Sequence, residues 1–396
     1  MNKLSIVIPV YNEESAVGSV IEKILVEKKN IIEKTNLTDV EIIVVDDGSK
    51  DRTHEIVKTY KGILLITHTK NKGYGAALKT GFKRASGDII GFLDADGTYD
   101  PKYFVNLCNK LSTQKADMVI GSRMVQKNEM SLIRKIGNKM FTSLINLISG
   151  SSITDCASGI RVIQKEALKT LYPLPDGLHF TPAMTSEAVI KGELKVGEIP
   201  IAYYKRTGKS KLGIVRDGVI FLKTIFDISL IYKPLIFFAF VGLMFIAIAL
   251  GYAIYPILNY LKMRVVEEWM IYRLITILVL VIVGLNMLTI GIISEEAVAV
   301  LDNKKRRKNL FVRVCNKIFS QKNLFGLGLV LILLGIGINY RTIFQYITTG
   351  MITVHWSRVV TGGFFILCGF QMLALGLLER IISMISSLVS QKLFIR

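Results

Sequence analysis

The chain has 396 residues, of which 51% are hydrophobic, and a formal net charge of +19. That length allows two or three domains, and the apolar share is high for a purely soluble protein. Four scattered cysteines, Cys108, Cys156, Cys315 and Cys368, lack zinc-ligand or redox spacing, so they read as reduced and structural.

In chain order, the opening stretch MNKLSIVIPVYNEE has a short apolar run and no cleavage site, so the first domain is expected to stay in the cytoplasm. Leu4–Val10 reads as a buried strand by its β-branched density, with a helix from about Glu13. Further strands are expected at Val40–Asp46, near Ile63–His68, at Asp88–Asp94 and at Asp117–Arg123. Helices are expected from Gly73 and from Pro101. This βαβ alternation predicts a mainly parallel, doubly wound α/β sheet. Two later stretches, Ser131–Gly150 and Leu212–Lys233, show helical apolar spacing with a basic polar face, which suits helices lying in a membrane interface.

From Leu235 onward the composition changes. Apolar runs near 235–257, 274–293, 324–347 and 359–378 approach the ~20 residues needed to cross a bilayer. The third reaches that length only by continuing past Tyr340 and Arg341. The expected layout is a catalytic domain over 1–212, an interfacial helix over 213–233, an all-α transmembrane domain of four helices over 234–380, and an amphipathic cytoplasmic tail over 381–396. Ser294–Asn323 holds eight Lys or Arg, including Lys304–Lys308, against three in Asn259–Arg273 and two in Asn339–Arg358. Positive loops stay inside, so the expected localisation is a multi-pass cell-membrane protein with its catalytic domain in the cytoplasm. The basic balance suits an anionic leaflet, and nucleic acid is not an expected partner.

In doubly wound sheets, ligands bind beyond the carboxyl ends of the strands. The residues there are Tyr11 and Glu13, Asp46 and Asp47, Asn71 and Gly73, Asp94 and Asp96, and Arg123. Leu78 stands at the third glycine position of a dinucleotide fingerprint, and Tyr203 stands at the first glycine position of a P-loop, so both motifs fail. What remains is Asp94-Ala95-Asp96 at the end of a buried strand. Paired carboxylates repel each other. A hard divalent cation between them takes oxygen ligands, commonly one or two carboxylates plus substrate phosphates. The four histidines form no cluster in the sequence.

The segments IVIPVYNEE, VVDDGSKDRT, NKGYGAALKTGF, FLDADGTYDP and IGSR occur in an order and spacing that resembles family 2 glycosyltransferases of the GT-A fold. DCASGIRVIQKEAL, TPAMTSEAVIKG and EIPIAYYKRTGKSKL narrow the resemblance to the branch acting on polyprenyl phosphates, the dolichyl-phosphate mannose or glucose synthases. It covers about Leu4–Leu230. The resemblance implies a GT-A nucleotide-sugar-binding domain in which Pro9, Tyr11 and Glu13 hold the nucleotide base. Val45 and Asp47 would surround base and ribose. Asp94, Ala95 and Asp96 would bind Mg²⁺ or Mn²⁺ and the donor diphosphate. Thr98 stands where the family often has a glutamine ligand. Arg123 and Arg134 would meet the acceptor phosphate, with Asn138 where relatives often have serine. Arg206 and Lys211 would belong to a mobile basic loop that closes over the donor.

The implied reaction is metal-dependent transfer of one hexose from a nucleotide-diphosphate sugar to a polyprenyl phosphate. In-line attack would invert the anomeric carbon. The acceptor oxygen is already ionised near neutral pH, so catalysis would rest on positioning and charge neutralisation rather than on a base. Asp96, Arg123 and Arg134 are the expected catalytic set, and Asp155 and Glu187 are further candidates for sugar contacts. GDP-mannose, UDP-glucose and UDP-N-acetylglucosamine all suit the motifs, and dolichol is not separated from undecaprenol. The bilayer is a further expected partner, and a homo-oligomer stays open. A processive polysaccharide synthase would need a Gln-x-x-Arg-Trp motif, yet neither Trp269 nor Trp356 follows an arginine. A transporter or flippase with a nucleotide-binding regulatory domain would need a polar pathway through the spans.

Overall fold

A computed structural model describes residues 2–125, 128–208, 211, 213–301 and 321–394. The basic run Lys304–Lys308, Cys315 and the last two residues of the tail lie outside them. The described chain forms two compact units, Met1–Ser229 and Leu230–Arg396.

The first unit alternates as expected through β1 (Asn2–Val10), α1 (Val17–Lys34), β2 (Leu37–Asp46), α2 (Thr53–Lys58), β3 (Leu64–Thr67), α3 (Tyr74–Arg84), β4 (Ile89–Leu93), α4 (Tyr103–Thr113) and β5 (Met118–Ser122). It continues through α5 (Leu132–Ser149), β6 (Ile160–Gln164), α6 (Lys165–Thr170), α7 (Phe180–Ile190), β7 (Val196–Pro200) and α8 (Ile214–Tyr232). Leu4, Ile6, Val7 and Ile8 are all fully buried, because helices cover both faces of the sheet and leave no wet side. The first helix starts at Val17 rather than at Glu13. Asn12 takes a left-handed φ of 49°, and the Glu13 carbonyl accepts the Ala16 and Val17 amides. Glu13 therefore sits in a turn, where its side chain is available to a site.

The sheet order is β3-β2-β1-β4-β6-β5-β7. The first four strands by sequence are parallel neighbours. β6 is the departure from the mainly parallel expectation, since it runs antiparallel between β4 and β5. Its cause is the connection. β5 leaves the sheet at its carboxyl edge, and α5 and the turn after it remain at that edge. The next strand must therefore enter from there and run backwards. That reversal puts the turn 155–159 beside the ends of β4 and β5.

The described residues of the second unit form two helical hairpins. One pairs α9 (Pro234–Met263) with α10 (Ile271–Leu301), and the other pairs α11 (Gln321–Thr349) with α12 (Trp356–Phe394). Among the described residues, four helices are long and apolar enough to cross a membrane, with candidate spans at Pro234–Met263, Glu268–Val298, Lys322–Thr349 and Trp356–Ile382. The third continues through Tyr340 and Arg341, as its length required. Each span is longer at its ends than its apolar run. α12 runs on without a break into the region expected to be a separate tail. Within the second hairpin the helices approach closely enough that a Cβ on Gly335 would lie 2.5 Å from the Gly362 carbonyl oxygen. This is the small-residue packing that lets helices associate in lipid. Gln371 Nε2 donates to Asn286 Oδ1 at 2.6 Å and links the hairpins.

Candidate active site

A cavity of about 780 Å³ opens at the carboxyl ends of β1, β2, β4 and β5. β4 is apolar throughout and ends directly in Asp94. The Tyr74 hydroxyl donates to Asp94 Oδ1 at 2.7 Å. Gly159 packs against the same carboxyl so closely that any Cβ there would overlap it. Burial, and after it the neighbouring Asp96, push the Asp94 carboxyl up to about 7. Asp96 is oriented from behind, with Oδ1 accepting the Thr98 hydroxyl at 2.6 Å and the Thr98 amide at 3.1 Å. Its Oδ2 lies 3.2 Å from Arg206 Nη1.

Arg206 also pairs through Nη2 with Glu13. Lys211 Nζ lies 2.8 Å from the same carboxylate and donates to the Tyr11 carbonyl. Arg206 thus bridges Glu13 and Asp96, and Lys211 joins it on Glu13 from 198 residues away in sequence. Pro9, Tyr11, Glu13, Asp47, Asp94, Ala95, Asp96, Arg206 and Lys211 all line the cavity.

Its opposite end is basic. Arg123, Arg134 and Asn138 line it, and the turn 155–159 holds two of them. Asp155 accepts Arg123 Nε and Nη2, each at 2.7 Å, the Arg123 amide at 3.0 Å and Asn138 Nδ2 at 3.0 Å. Burial alone would raise the Asp155 carboxyl, but Arg123 outweighs it and holds it below the usual range. The Arg123 guanidinium also lies 5.3 Å from the Tyr203 ring centroid. The cavity wall then becomes apolar along α5 and α8, with Ile133, Ile136, Met140, Val215, Val219 and Leu222. Phe141 and Phe221 meet edge-to-face at 5.8 Å where these helices touch.

Residues 5–172 match the family described as Glycosyl transferase family 2, and residues 234–391 match a domain of unknown function. UDP-N-acetylglucosamine--dolichyl-phosphate N-acetylglucosaminyltransferase of Methanococcus voltae is 32% identical over 221 residues, which cover 50% of this chain and 83% of that relative. The chain belongs to glycosyl transferase family 2. Two other relatives carry different names. The low-salt glycan biosynthesis hexosyltransferase Agl6 of Haloferax volcanii is 34% identical over 54% of this chain and 51% of its own length. The dolichol-phosphate mannosyltransferase of Pyrococcus furiosus is 32% identical over 53% of this chain and 59% of its own. The chain thus spans little more than half the length of these two.

In this family 2 glycosyltransferase the sheet is the mixed GT-A type, and most of the expected site residues converge on the cavity. Two donor-side residues do not. Val45 is fully buried and packs on Gly81, because its position in β2 turns its side chain toward α3. Thr98 is also fully buried, and its hydroxyl is used on Asp96, so it orients a ligand rather than serving as one. Neither Asp155 nor Glu187 is among the cavity's lining residues. Asp155 contacts Arg123 and Asn138.

The histidines hold the largest departure from the sequence reading. His54 Nδ1 lies 3.1 Å from Asp46 Oδ2, and His68 Nδ1 lies 2.7 Å from Asp47 Oδ1. Both carboxylates at the end of β2 are therefore histidine-paired. Only His68, at the end of a predicted strand, offered a sequence signal. Among the described residues, no group of three or more His, Cys, Asp or Glu side chains could hold a metal. Asp94 and Asp96 alone fit a hard divalent cation that takes its other ligands from a diphosphate and water.

Proposed function

We propose that this glycosyltransferase moves one sugar from a nucleoside-diphosphate sugar to a polyprenyl phosphate at the cytoplasmic membrane surface. The observation that carries this reading is the sequence of surfaces inside one cavity. An acidic end with two convergent carboxylates gives way to a basic end with two arginines, and then to an apolar wall. A diphosphate with a cation, a phosphate monoester and a hydrocarbon chain are matched in that order. α5 exposes Leu132, Ile133, Ile136, Met140 and Leu147, and α8 exposes Val215 and Val219. Side chains packed on a sheet would not be so exposed, so both helices fit an interfacial position.

In the proposed reaction an acceptor phosphate oxygen attacks the anomeric carbon, the bond to the donor diphosphate breaks, and configuration inverts. Arg123 and Arg134 hold the attacking phosphate through guanidinium forks. Asp94 and Asp96 would hold Mg²⁺ or Mn²⁺, which when bound neutralises charge on the leaving diphosphate. Arg206 and Lys211 can exchange their carboxylate partners for phosphate oxygens. No histidine is needed as a base, because the acceptor oxygen carries its charge already.

The reading is tested by assaying UDP- and GDP-sugars against one polyprenyl phosphate. Transfer from at least one donor, dependent on the lipid phosphate, is expected, and hydrolysis alone would refute it. Arg134→Ala should weaken use of the acceptor about tenfold or more, since a charge-assisted bond is worth ~1.5–3 kcal/mol. Nucleotide affinity should change little, and calorimetry with the nucleoside diphosphate reads that directly. Topology is tested separately. A cysteine at Asn303 should resist an impermeant reagent in intact cells, and labelling there would place the basic loop outside.

A further inference from the structure

A second cavity, of about 500 Å³, adjoins the donor end and shares Tyr11 and Asn71 with the first. Its floor is the end of β2 and its rim is the 67–71 segment, with Asp46, His54, Thr67 and Asn71 among its lining residues. The two histidine–carboxylate pairs differ here. His68 uses both ring nitrogens inside the protein, Nδ1 on Asp47 and Nε2 on the Thr80 hydroxyl at 2.9 Å. Asp47 also accepts the Lys72 amide at 2.9 Å and the Gly73 amide at 2.8 Å, so three of its roughly four acceptor positions are used. This pair ties the loop after β3 to β2.

His54 is placed differently. Among the described residues His54 is held through Nδ1 alone, by a carboxylate that is 1% exposed at 3.1 Å and more distantly by the Thr67 hydroxyl at 3.4 Å, while the ring itself is 40% exposed. Asp46 uses its other oxygen, Oδ1, to accept the Ser49 amide at 3.0 Å. A carboxylate can only accept, so Nδ1 must carry the proton toward Asp46. In the neutral ring Nε2 is then a fixed acceptor. A buried carboxylate that sets the tautomer and aim of an exposed imidazole is an arrangement for presenting one lone pair to a ligand.

We infer that His54, aimed by Asp46, reads the nucleobase of the donor by accepting a ring N–H. This rests on the nucleoside-diphosphate reading above and adds a base-discriminating residue to it. The shared chemistry is a ring N–H beside a carbonyl, as at N3 of uracil or N1 of guanine. Cytosine and adenine present a ring acceptor at the corresponding edge, and the two lone pairs would face each other. A site built to pair with one polarity leaves its own group unpaired when the polarity is reversed.

The test is nucleoside-diphosphate binding by the full chain in detergent, with UDP, GDP, CDP and ADP compared at one magnesium concentration. The wild type is expected to bind UDP or GDP about tenfold or more tighter than CDP and ADP, the value of one hydrogen bond to a polarised group. His54→Ala should bring the four ligands to within about threefold of one another. Asp46→Asn provides the second arm. The asparagine oxygen takes over the Ser49 amide, so its NH₂ group faces His54 Nδ1 and forces the proton to Nε2. The preference should then reverse toward CDP or ADP, an outcome that a purely structural role for His54 does not produce. Discrimination that survives both substitutions overturns the assignment while leaving the nucleotide reading intact. Binding of none of the four by wild-type protein would overturn both.

Discussion

Asp96→Asn and Asp94→Asn should each abolish sugar transfer while leaving the protein as stable as the wild type or slightly more so. The two effects separate because, among the described residues, the carboxylates sit together without a cluster of further acidic or histidine ligands. Asp94 is pushed up to about 7 by burial and then by Asp96, so removing one charge relieves the other. The orienting hydrogen bonds survive the change, and only the part-exposed Arg206 contact to Asp96 Oδ2 is given up. An asparagine oxygen at position 96 can still accept from Thr98, which reaches Asp96 Oδ1 at 2.6 Å. One at position 94 can still accept the Tyr74 hydroxyl, now 2.7 Å from Asp94 Oδ1. Transfer needs the charge itself, which would hold a cation against the leaving diphosphate. Loss of one such electrostatic group costs on the order of 10²–10³ in rate. Product formation and a thermal melt on the same preparation read both halves. Near-wild-type transfer by either variant with divalent ions chelated would remove the cation from the proposal.

The parts of this site legible in the sequence are those that act through strand ends. A buried strand running into Asp94 and Asp96 has a local signature, and so does the placement of Tyr11 and Asp47 after β1 and β2. The mixed part of the sheet was not legible. β6 is five residues long, and β7 is mostly half-exposed. Neither has a hydrophobic period long enough to set it apart from a loop. The antiparallel direction of β6 comes from where the preceding helix leaves the chain, and no residue encodes it. Long-range partners were hidden for a related reason. Asp155 finds Arg123 across 32 residues, and Arg206 finds Glu13 across 193, so a motif read at either position shows only one half of the pair. The sequence pattern therefore suggested sugar contacts for Asp155, where the packing gives it an arginine. The membrane unit was easy to find and hard to bound, because helices continue past their apolar runs into polar ends such as Tyr340 and Arg341.

Asp155→Ala is expected to be the most destabilising substitution at the acceptor end. Asp155 is fully buried and Arg123 nearly so. Their guanidinium–carboxylate contact is bidentate at 2.7 Å on both arms. Removing one partner of a buried pair leaves an uncompensated charge and costs about 3–5 kcal/mol. The same carboxylate holds Asn138, so both acceptor-side groups lose their positions together. Use of the lipid phosphate should fall even in the fraction that stays folded. Asp155→Asn keeps the shape and one acceptor oxygen, and should lie between the wild type and the alanine variant on both measures. A sugar-contact role predicts another pattern, with stability retained and donor KM raised. A double-variant cycle with Arg123→Met decides between them. If Asp155 acts through Arg123, its removal costs about 2 kcal/mol less or better once Arg123 is already gone, since no buried cation is then stranded. Equal costs in the two backgrounds would show that Asp155 acts independently of Arg123, and the turn 155–159 would lose its place as the support of the acceptor site.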